Sequence, residues 1–409
     1  MASTAGHLVY CTIGIFVLLL KLRVVFCMVQ VETTFSITEY VTSFGYQIET
    51  YENIQTEDGY LLQMFRIPYG KGVVESLTPR PAVFLMHGLL TSAESWVITG
   101  PERGMGFLLA DRGYDVWLGN ARGSTHCRKH VSLKVEQKEF WQFSWHEIGI
   151  YDLPAQLNYI METTTVTQVS YIGHSQGTTA FFVMASEKVE FNTNINLMTA
   201  MAPVAFMAHL PHPAIQVMSL FTQGITFFTN LFGINELVPN NRLINSAGEA
   251  ACMEKVVIQE LCANILFLTT GYDSKQLDRS LVPLIAKTTP AGASTKQLIH
   301  YGQEIRSGKF RQFDYGFVCN MAMYGSLQPP IYNLSRITAP MGLYYAKNDW
   351  LVSVEDVKML KTQLTNVVED YLIPYEYFNH LDFLFAKDVV SLLYTRVFEV
   401  METIITIAK

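Results

Sequence analysis

Gly173-His174-Ser175-Gln176-Gly177 is the stretch on which the reading of this chain turns. An apolar run, Val169-Ser170-Tyr171-Ile172, leads into it, and a helix-like stretch, Thr178 to Ser186, leads out. A strand entering and a helix leaving put the serine on a sharp turn with strained backbone, its hydroxyl raised above a sheet. Both glycines are needed there, because a Cβ would clash with the neighbouring strand or helix. A Gly-x-Ser-x-Gly pentapeptide alone also fits an ordinary glycine-rich turn. The flanking strand and helix, and the order of the polar residues further along the chain, separate the two.

Outward from this turn the chain alternates strands and helices. Ala82-Val83-Phe84-Leu85-Met86 is a continuous apolar run ending at His87-Gly88, as expected for a strand buried on both faces. Tyr114 to Leu118 reads as another strand, ended by Gly119-Asn120-Ala121-Arg122-Gly123, and Leu197 to Ala202 as a third. Gly106 to Asp111 and Asp152 to Glu162 read as helices. Upstream, Gln47 to Ile54 and Tyr60 to Ile67 alternate apolar and polar residues around Thr56-Glu57-Asp58-Gly59, an antiparallel hairpin. The pattern predicts an α/β fold with a doubly wound, mostly parallel sheet.

Between Phe206 and Arg336 the rhythm changes to a stretch rich in Phe, Leu and Ile, with helical patterns and no strand–helix alternation. It reads as an inserted, mainly helical cap and lid. Strands return at Met341 to Tyr345 and Val367 to Ile373. The expected organisation is a leader over 1–30, core over 31–205, cap over 206–336 and core again over 337–409.

A serine hydroxyl is a weak nucleophile and needs a base, which in turn needs a group to orient it. Asp349 follows the strand ending at Tyr345, and His380 follows the strand ending near Ile373. The carboxyl ends of parallel strands form one rim, so these residues are expected beside Ser175. The order Ser175, Asp349, His380 is the order such a fold uses. The oxyanion that forms on the attacked carbonyl calls for two backbone N–H groups. Gln176, after the nucleophile, and Leu89, in His87-Gly88-Leu89-Leu90, are the expected donors.

Competing residues are assigned other places. His174 is expected to point away from the hydroxyl and to pack, and His87 to shape its loop. Asp382 lies too close in sequence to reach the far nitrogen of His380, and Asp356 is expected on a surface helix.

Composition narrows the partners. The 409 residues are 49% hydrophobic and 16% charged, with a net charge of −7 and no basic block, which argues against nucleic acid. Neither Cys-x-x-Cys nor His-Glu-x-x-His occurs, so no metal or cofactor is expected. Leu8 to Leu20 is an apolar run of signal-peptide length. Lys21 and Arg23 follow it rather than precede it. Two outcomes stay open: cleavage after small residues such as Val25 and Cys27, or an uncleaved anchor running on through Val29. Of the two, secretory entry is expected. Cys252 and Cys262 are near enough to close a short loop or to remain two buried thiols. Asn333-Leu334-Ser335 is a glycosylation sequon.

Further segments extend the pattern: Gly45-Tyr46, Thr56 to Leu62, Arg66-Ile67-Pro68, Gly113 to Asn120, and Tyr151-Asp152-Leu153-Pro154-Ala155. Ala202-Pro203-Val204-Ala205, Ser307 to Phe310, Asp314-Tyr315-Gly316, Gln328 to Asn333 and Asn379 to Phe383 complete it. Together with the serine turn they resemble the acid lipase family of gastric and lysosomal lipases, within the α/β-hydrolase fold. The resemblance implies Ser175 as nucleophile, Asp349 as acid, His380 as base, Leu89 and Gln176 as oxyanion donors, and a disulfide between Cys252 and Cys262. It implies hydrolysis of neutral lipid esters, triacylglycerols or sterol esters, through an acyl-enzyme at a lipid–water interface. The compartment implied is the secretory pathway, ending outside the cell or in a lysosomal lumen.

Phe221, Phe227, Phe228, Leu231 and Phe232 give the cap an apolar surface for an acyl chain, unless they form its own core. Burial is worth about 0.8 kcal/mol per methylene, which would select long chains without polar contacts. A carboxylesterase for short esters would use the same residues. A catalytically silent lipid-binding protein would not need an intact Ser, Asp and His.

Overall fold

A computed structural model describes residues 35–73, 80–222, 224–225, 229, 233–237, 264, 266 and 268–408. The expected hairpin is present as β1 (Glu49–Gln55) and β2 (Tyr60–Ile67), antiparallel. β3 (Ala82–Met86), β4 (Asp115–Leu118) and the short β5 (Lys129–His130) follow. β6 (Val169–His174) and β7 (Ile195–Met201) flank the serine turn. In the cap, β8 (Glu236–Leu237) pairs antiparallel with β9 (Ala293–Ser294). β10 (Met341–Tyr345) and β11 (Val367–Leu372) return to the core.

The main sheet runs β1-β2-β4-β3-β6-β7-β10-β11, with β5 against β2. From β4 to β11 every neighbouring pair is parallel. β3 and β10 are buried at every position, as their unbroken apolar sequences require when helices cover both faces. β11 stands at the edge and is only partly buried, so its sequence can carry Glu369 and Asp370.

The helices that matter for the site are α1 (Leu153–Thr164) and α2 (Gln176–Glu187) in the core. α3 (Thr295–Ser307) belongs to the cap, and α4 (Val354–Gln363) follows β10. α2 is buried from Gln176 through Ser186 because it passes beneath the cap and across the sheet. A Cβ on Gly177 would stand 2.3 Å from the Met86 carbonyl oxygen, so only glycine lets α2 start against the end of β3.

Hydrogen bonds one residue beyond the strands keep their ends level. Ser175 N–H donates to the Met201 carbonyl (3.0 Å), Ala202 N–H to Tyr344 (2.9 Å) and Ile373 N–H to Tyr345 (2.9 Å). This rim carries the loops that follow β6, β7, β10 and β11.

The β8–β9 pair is compatible with a mainly helical insertion and was not foreseen, because strands of two residues are too short to show a period. One expectation needs correction. Asp356 does lie on a helix, α4, but it is buried. Its carboxylate accepts from His209 N–H (2.9 Å) and His209 Nδ1 (2.8 Å), and it faces inward across the cap–core junction.

Candidate active site

Ser175 adopts φ 52° and ψ −119°, a conformation that L-residues rarely take. Such strain costs on the order of 1–3 kcal/mol and survives only where the surroundings over-determine it. Here the Ser175 N–H is fixed to Met201, its carbonyl accepts from Thr178 N–H (2.8 Å) and Thr178 Oγ1 (2.6 Å), and Tyr171 Oη donates to the Gly177 carbonyl (2.8 Å). The turn thereby aims the serine side chain above the rim.

Asp349 and His380 meet as the sequence suggested. Asp349 is buried; its Oδ1 accepts from Leu351 N–H (2.8 Å) and Val352 N–H (3.0 Å), and its Oδ2 accepts from His380 Nδ1 (2.8 Å). With Nδ1–H committed to the carboxylate, Nε2 is the ring nitrogen left to take a proton. Among the described residues no hydrogen bond joins Ser175 Oγ to the His380 ring. Bonds of this kind are commonly long before substrate enters and tighten in the complex.

His174 is buried and packs on His380 and Phe383, as expected, and it also ties the two loops together. Its Nε2–H donates to the His380 carbonyl (3.0 Å), with the two rings 4.8 Å apart between centroids. Burial, and then the nearby His380, hold its pKa well below the usual histidine value. It is therefore a neutral donor that fixes where the His380 backbone sits. The preceding peptide is held as well, since His380 N–H donates to the Thr270 carbonyl (3.3 Å).

The proposed oxyanion donors lie on either side of the serine. An added Cβ on Gly88 would come within 3.1 Å of Ser175 Cβ, so the loop after β3 lies directly over Ser175. The N–H groups of Leu89 and Gln176 have no acceptor among the described residues. His87 shapes this loop: Nδ1–H donates to the Gly88 carbonyl (2.8 Å), and Nε2 accepts from Ala121 N–H (3.1 Å). Burial lowers the His87 pKa to about 4, so it too is neutral. The cap touches both donors' surroundings, through Ala291 N–H to the Leu90 carbonyl (2.7 Å) and Gln176 Nε2 to Gln297 Oε1 (2.6 Å).

Asp382 does not touch the far nitrogen of His380; its Oδ2 accepts from Asn379 N–H (2.7 Å). Phe221 is 63% exposed, which leaves its side chain on the outside of the cap. Phe227, Phe228, Leu231, Phe232, Cys252, Cys262 and the leader lie outside the described residues. Asn333 is exposed, and Cys127 (buried) and Cys319 (exposed) are free thiols. No described helix is long and apolar enough to cross a membrane.

Residues 37–100 match a family model described as a partial alpha/beta-hydrolase lipase region, and residues 81–234 one described as the alpha/beta hydrolase fold. Lipase 3 of Drosophila melanogaster is 42% identical over 89% of this chain and 92% of its own length. The lysosomal acid lipase/cholesteryl ester hydrolase of Homo sapiens is 38% identical, covering 91% of this chain and 92% of its own. The gastric triacylglycerol lipase of Rattus norvegicus is 37% identical over 90% of this chain and 92% of its own length. A solved structure from Sulfolobus solfataricus superposes with a TM-score of 0.58 at 15% identity, covering 87% of this chain and 93% of that one. An epoxide hydrolase from Vigna radiata gives 0.50 at 14%, covering 88% and 98%; at such identities the two share the fold alone. The chain belongs to the acid lipase family and has the α/β-hydrolase fold.

Proposed function

We propose that this chain is a serine-dependent lipase that hydrolyses neutral lipid esters through an acyl-enzyme. The observation that carries the reading is the Asp349–His380 hydrogen bond of 2.8 Å, in a loop tied by His174 to the turn that bears Ser175. Ser175 Oγ attacks the ester carbonyl carbon while His380 Nε2 takes its proton, and Asp349 stabilises the imidazolium. The carbonyl oxygen, now anionic, is received by the N–H groups of Leu89 and Gln176. The tetrahedral species collapses, His380 gives its proton to the departing alcohol, and the acyl group stays on Ser175. A water, deprotonated by His380, then releases the fatty acid and restores the serine.

The substrate class is supported by relatives whose names specify triacylglycerol and cholesteryl esters. Their lysosomal and gastric names also support a secreted or lysosomal-lumen location, with entry through the N-terminal apolar segment. Asn333, exposed on the surface, is the proposed glycan acceptor, and Cys252–Cys262 the proposed cap disulfide. The test is release of fatty acid from an emulsified long-chain ester by the purified chain and by Ser175→Ala. Activity confined to the unmutated chain, with organophosphate labelling at Ser175, is expected. Persistent hydrolysis by the variant would refute the assignment. Turnover limited to soluble short esters would assign a carboxylesterase instead.

A further inference from the structure

A surface helix in water ordinarily turns its polar side chains out and its apolar ones in. The cap helix Phe317–Tyr324 does the reverse. Its inner face is formed by Asn320 and Tyr324, one turn apart. Asn320 is buried: its Oδ1 accepts from Tyr315 N–H (2.9 Å), and its Nδ2 donates to Asp314 Oδ1 (2.8 Å) and to the Leu327 carbonyl (3.0 Å). Tyr324 Oη donates to the Phe313 carbonyl (2.9 Å). The helix is thus moored by polar groups, while Val318 (84% exposed), Phe317 (68%), Met323 (63%) and Met321 face solvent. Phe317, Val318 and Met321 stand at i, i+1 and i+4 and share one side of the helix. Single exposed apolar residues are ordinary, but a group on one face marks an interaction surface.

The charges around this face select its partner. From Tyr315 to Ser335 the chain carries no charged residue, and Asp314, just before, is paired with Arg311 Nη2 (3.1 Å). Phe317 also walls a cavity of about 630 Å³, and Arg306 and Arg311 line the same cavity. Arg306, exposed in the last turn of α3, makes no hydrogen bond or ion pair among the described residues. On a chain of net charge −7, an unpaired cation beside an acid-free apolar helix is a local exception. Hydrocarbon covered by anionic head groups is the surface that complements it. A second copy of the chain fits less well, since a two-fold contact would set the patch and its cation against their own images, with no acid in the patch to answer the charge.

We propose that the helix Phe317–Tyr324, with Arg306 beside it, is the face by which this chain docks on a lipid surface bearing anionic head groups. The choice of lipid over another apolar partner rests on the reading of the chain as a lipase. Phe317, Val318 and Met321 enter the acyl layer, and the Arg306 guanidinium meets an anionic head group at its edge. The face is joined to the catalytic centre by α3. Arg306 lies on the cavity side of that helix; Gln297, nine residues earlier and so on the opposite side, accepts from Gln176 Nε2 (2.6 Å). One helix therefore separates the docking face from the residue proposed as an oxyanion donor.

The test is flotation of the full chain with vesicles of phosphatidylcholine alone and of phosphatidylcholine with phosphatidylglycerol. Val318→Asp combined with Met321→Asp alters only exposed side chains, so turnover of a soluble short-chain ester is expected to stay unchanged. Binding of this double variant to the anionic vesicles is expected to weaken at least about tenfold. Arg306→Glu is expected to bind anionic vesicles no better than neutral ones. A polarity-sensitive dye on Cys319, the exposed thiol of the same helix, is expected to shift to the blue as the chain binds. The proposal is overturned by an unmutated chain that does not float, by equal flotation of the double variant, by an Arg306→Glu chain that keeps the anionic preference, or by a dye that stays in water while the chain floats. A dimer in solution that the double variant splits would assign the face to a second copy and overturn it too. Ser175→Ala is assayed in parallel: soluble-ester hydrolysis retained by it rejects the triad whatever the vesicles show, whereas unmoved flotation with Ser175→Ala inactive rejects only the docking face.

Discussion

At the scale of single residues, the serine turn holds one strained residue and one whose hydrogen bond adds to its packing. Ser175 keeps a positive φ that glycine would adopt freely. Ser175→Gly and Ser175→Ala are both expected to be inactive, but the glycine variant should be the more stable by about 1 kcal/mol, because it removes the strain. Urea denaturation of the two checks this, and a less stable glycine variant would show that the turn is unstrained. His174 donates to the His380 carbonyl, a buried bond worth about 0.5–1.5 kcal/mol. His174→Phe is expected to lower kcat by roughly 3–10-fold with KM little changed. Single-turnover acylation rates would expose the opposite result, a change in KM alone. Asp349 and His380 could be located from sequence because each follows a recognisable strand. The role of His174 could not, since its partner lies 206 positions away and nothing local encodes where its ring points.

At the scale of elements, much of the family pattern turns out to be joinery. Arg122, buried after β4, donates from Nε to Asp152 Oδ1 (2.7 Å) at the start of α1 and from Nη2 to Asp58 Oδ1 (2.8 Å) in the β1–β2 turn. Its guanidinium lies 4.0 Å over the Tyr60 ring. Three motifs far apart in sequence therefore meet on one cation. Removing one partner of a buried ion pair typically costs about 3–5 kcal/mol, because the others are left uncompensated. Arg122→Ala is expected to lose stability on that scale, seen as a lower denaturant midpoint with an unchanged m-value. A midpoint within error of the unmutated chain would show the network to be dispensable. The long apolar strands β3 and β10 were legible because their burial is written in every residue. The β8–β9 pair and the Thr270 carbonyl's bond to His380 N–H were not, because segments this short work through backbone groups and carry no period in their side chains.

At the scale of the whole molecule, buried titrating groups pull stability in opposite directions with pH. His87 (lowered to about 4), His300 (lowered to about 3), His146 and His174 are all held below the ordinary histidine pKa of 6.5, chiefly by burial. Below 6.5 the unfolded chain takes up protons that the folded chain refuses, so these residues erode stability as pH falls toward their folded values. Asp382 (raised to about 8) and Glu304 (raised well above its ordinary value) act the other way, again chiefly through burial. Among the described residues neither Glu304 oxygen has a hydrogen-bond partner, so in the folded chain the carboxyl keeps its proton. Their contribution is full at low pH and is lost as pH rises from the ordinary carboxylate range through the folded pKa, at up to about 1.4 kcal/mol per pH unit for each group. Between about pH 4 and 6.5 the two sets oppose each other; above 6.5 the histidine contribution is level and only the carboxyls still change. Below about 4, Glu147, lowered to about 2, and Glu94, also lowered, lose their charge-dependent stabilisation. Thermal unfolding should therefore show its highest midpoint on the acid side of neutrality, with a decline from pH 6.5 to 8. Glu304→Gln removes one of the two declining contributions and should flatten that upper slope without moving the acid edge. A midpoint that keeps rising through pH 8, or a glutamine variant with the same slope, would mean that Glu304 is ionised in the folded chain and that the cap–core junction is wetter than its packing indicates.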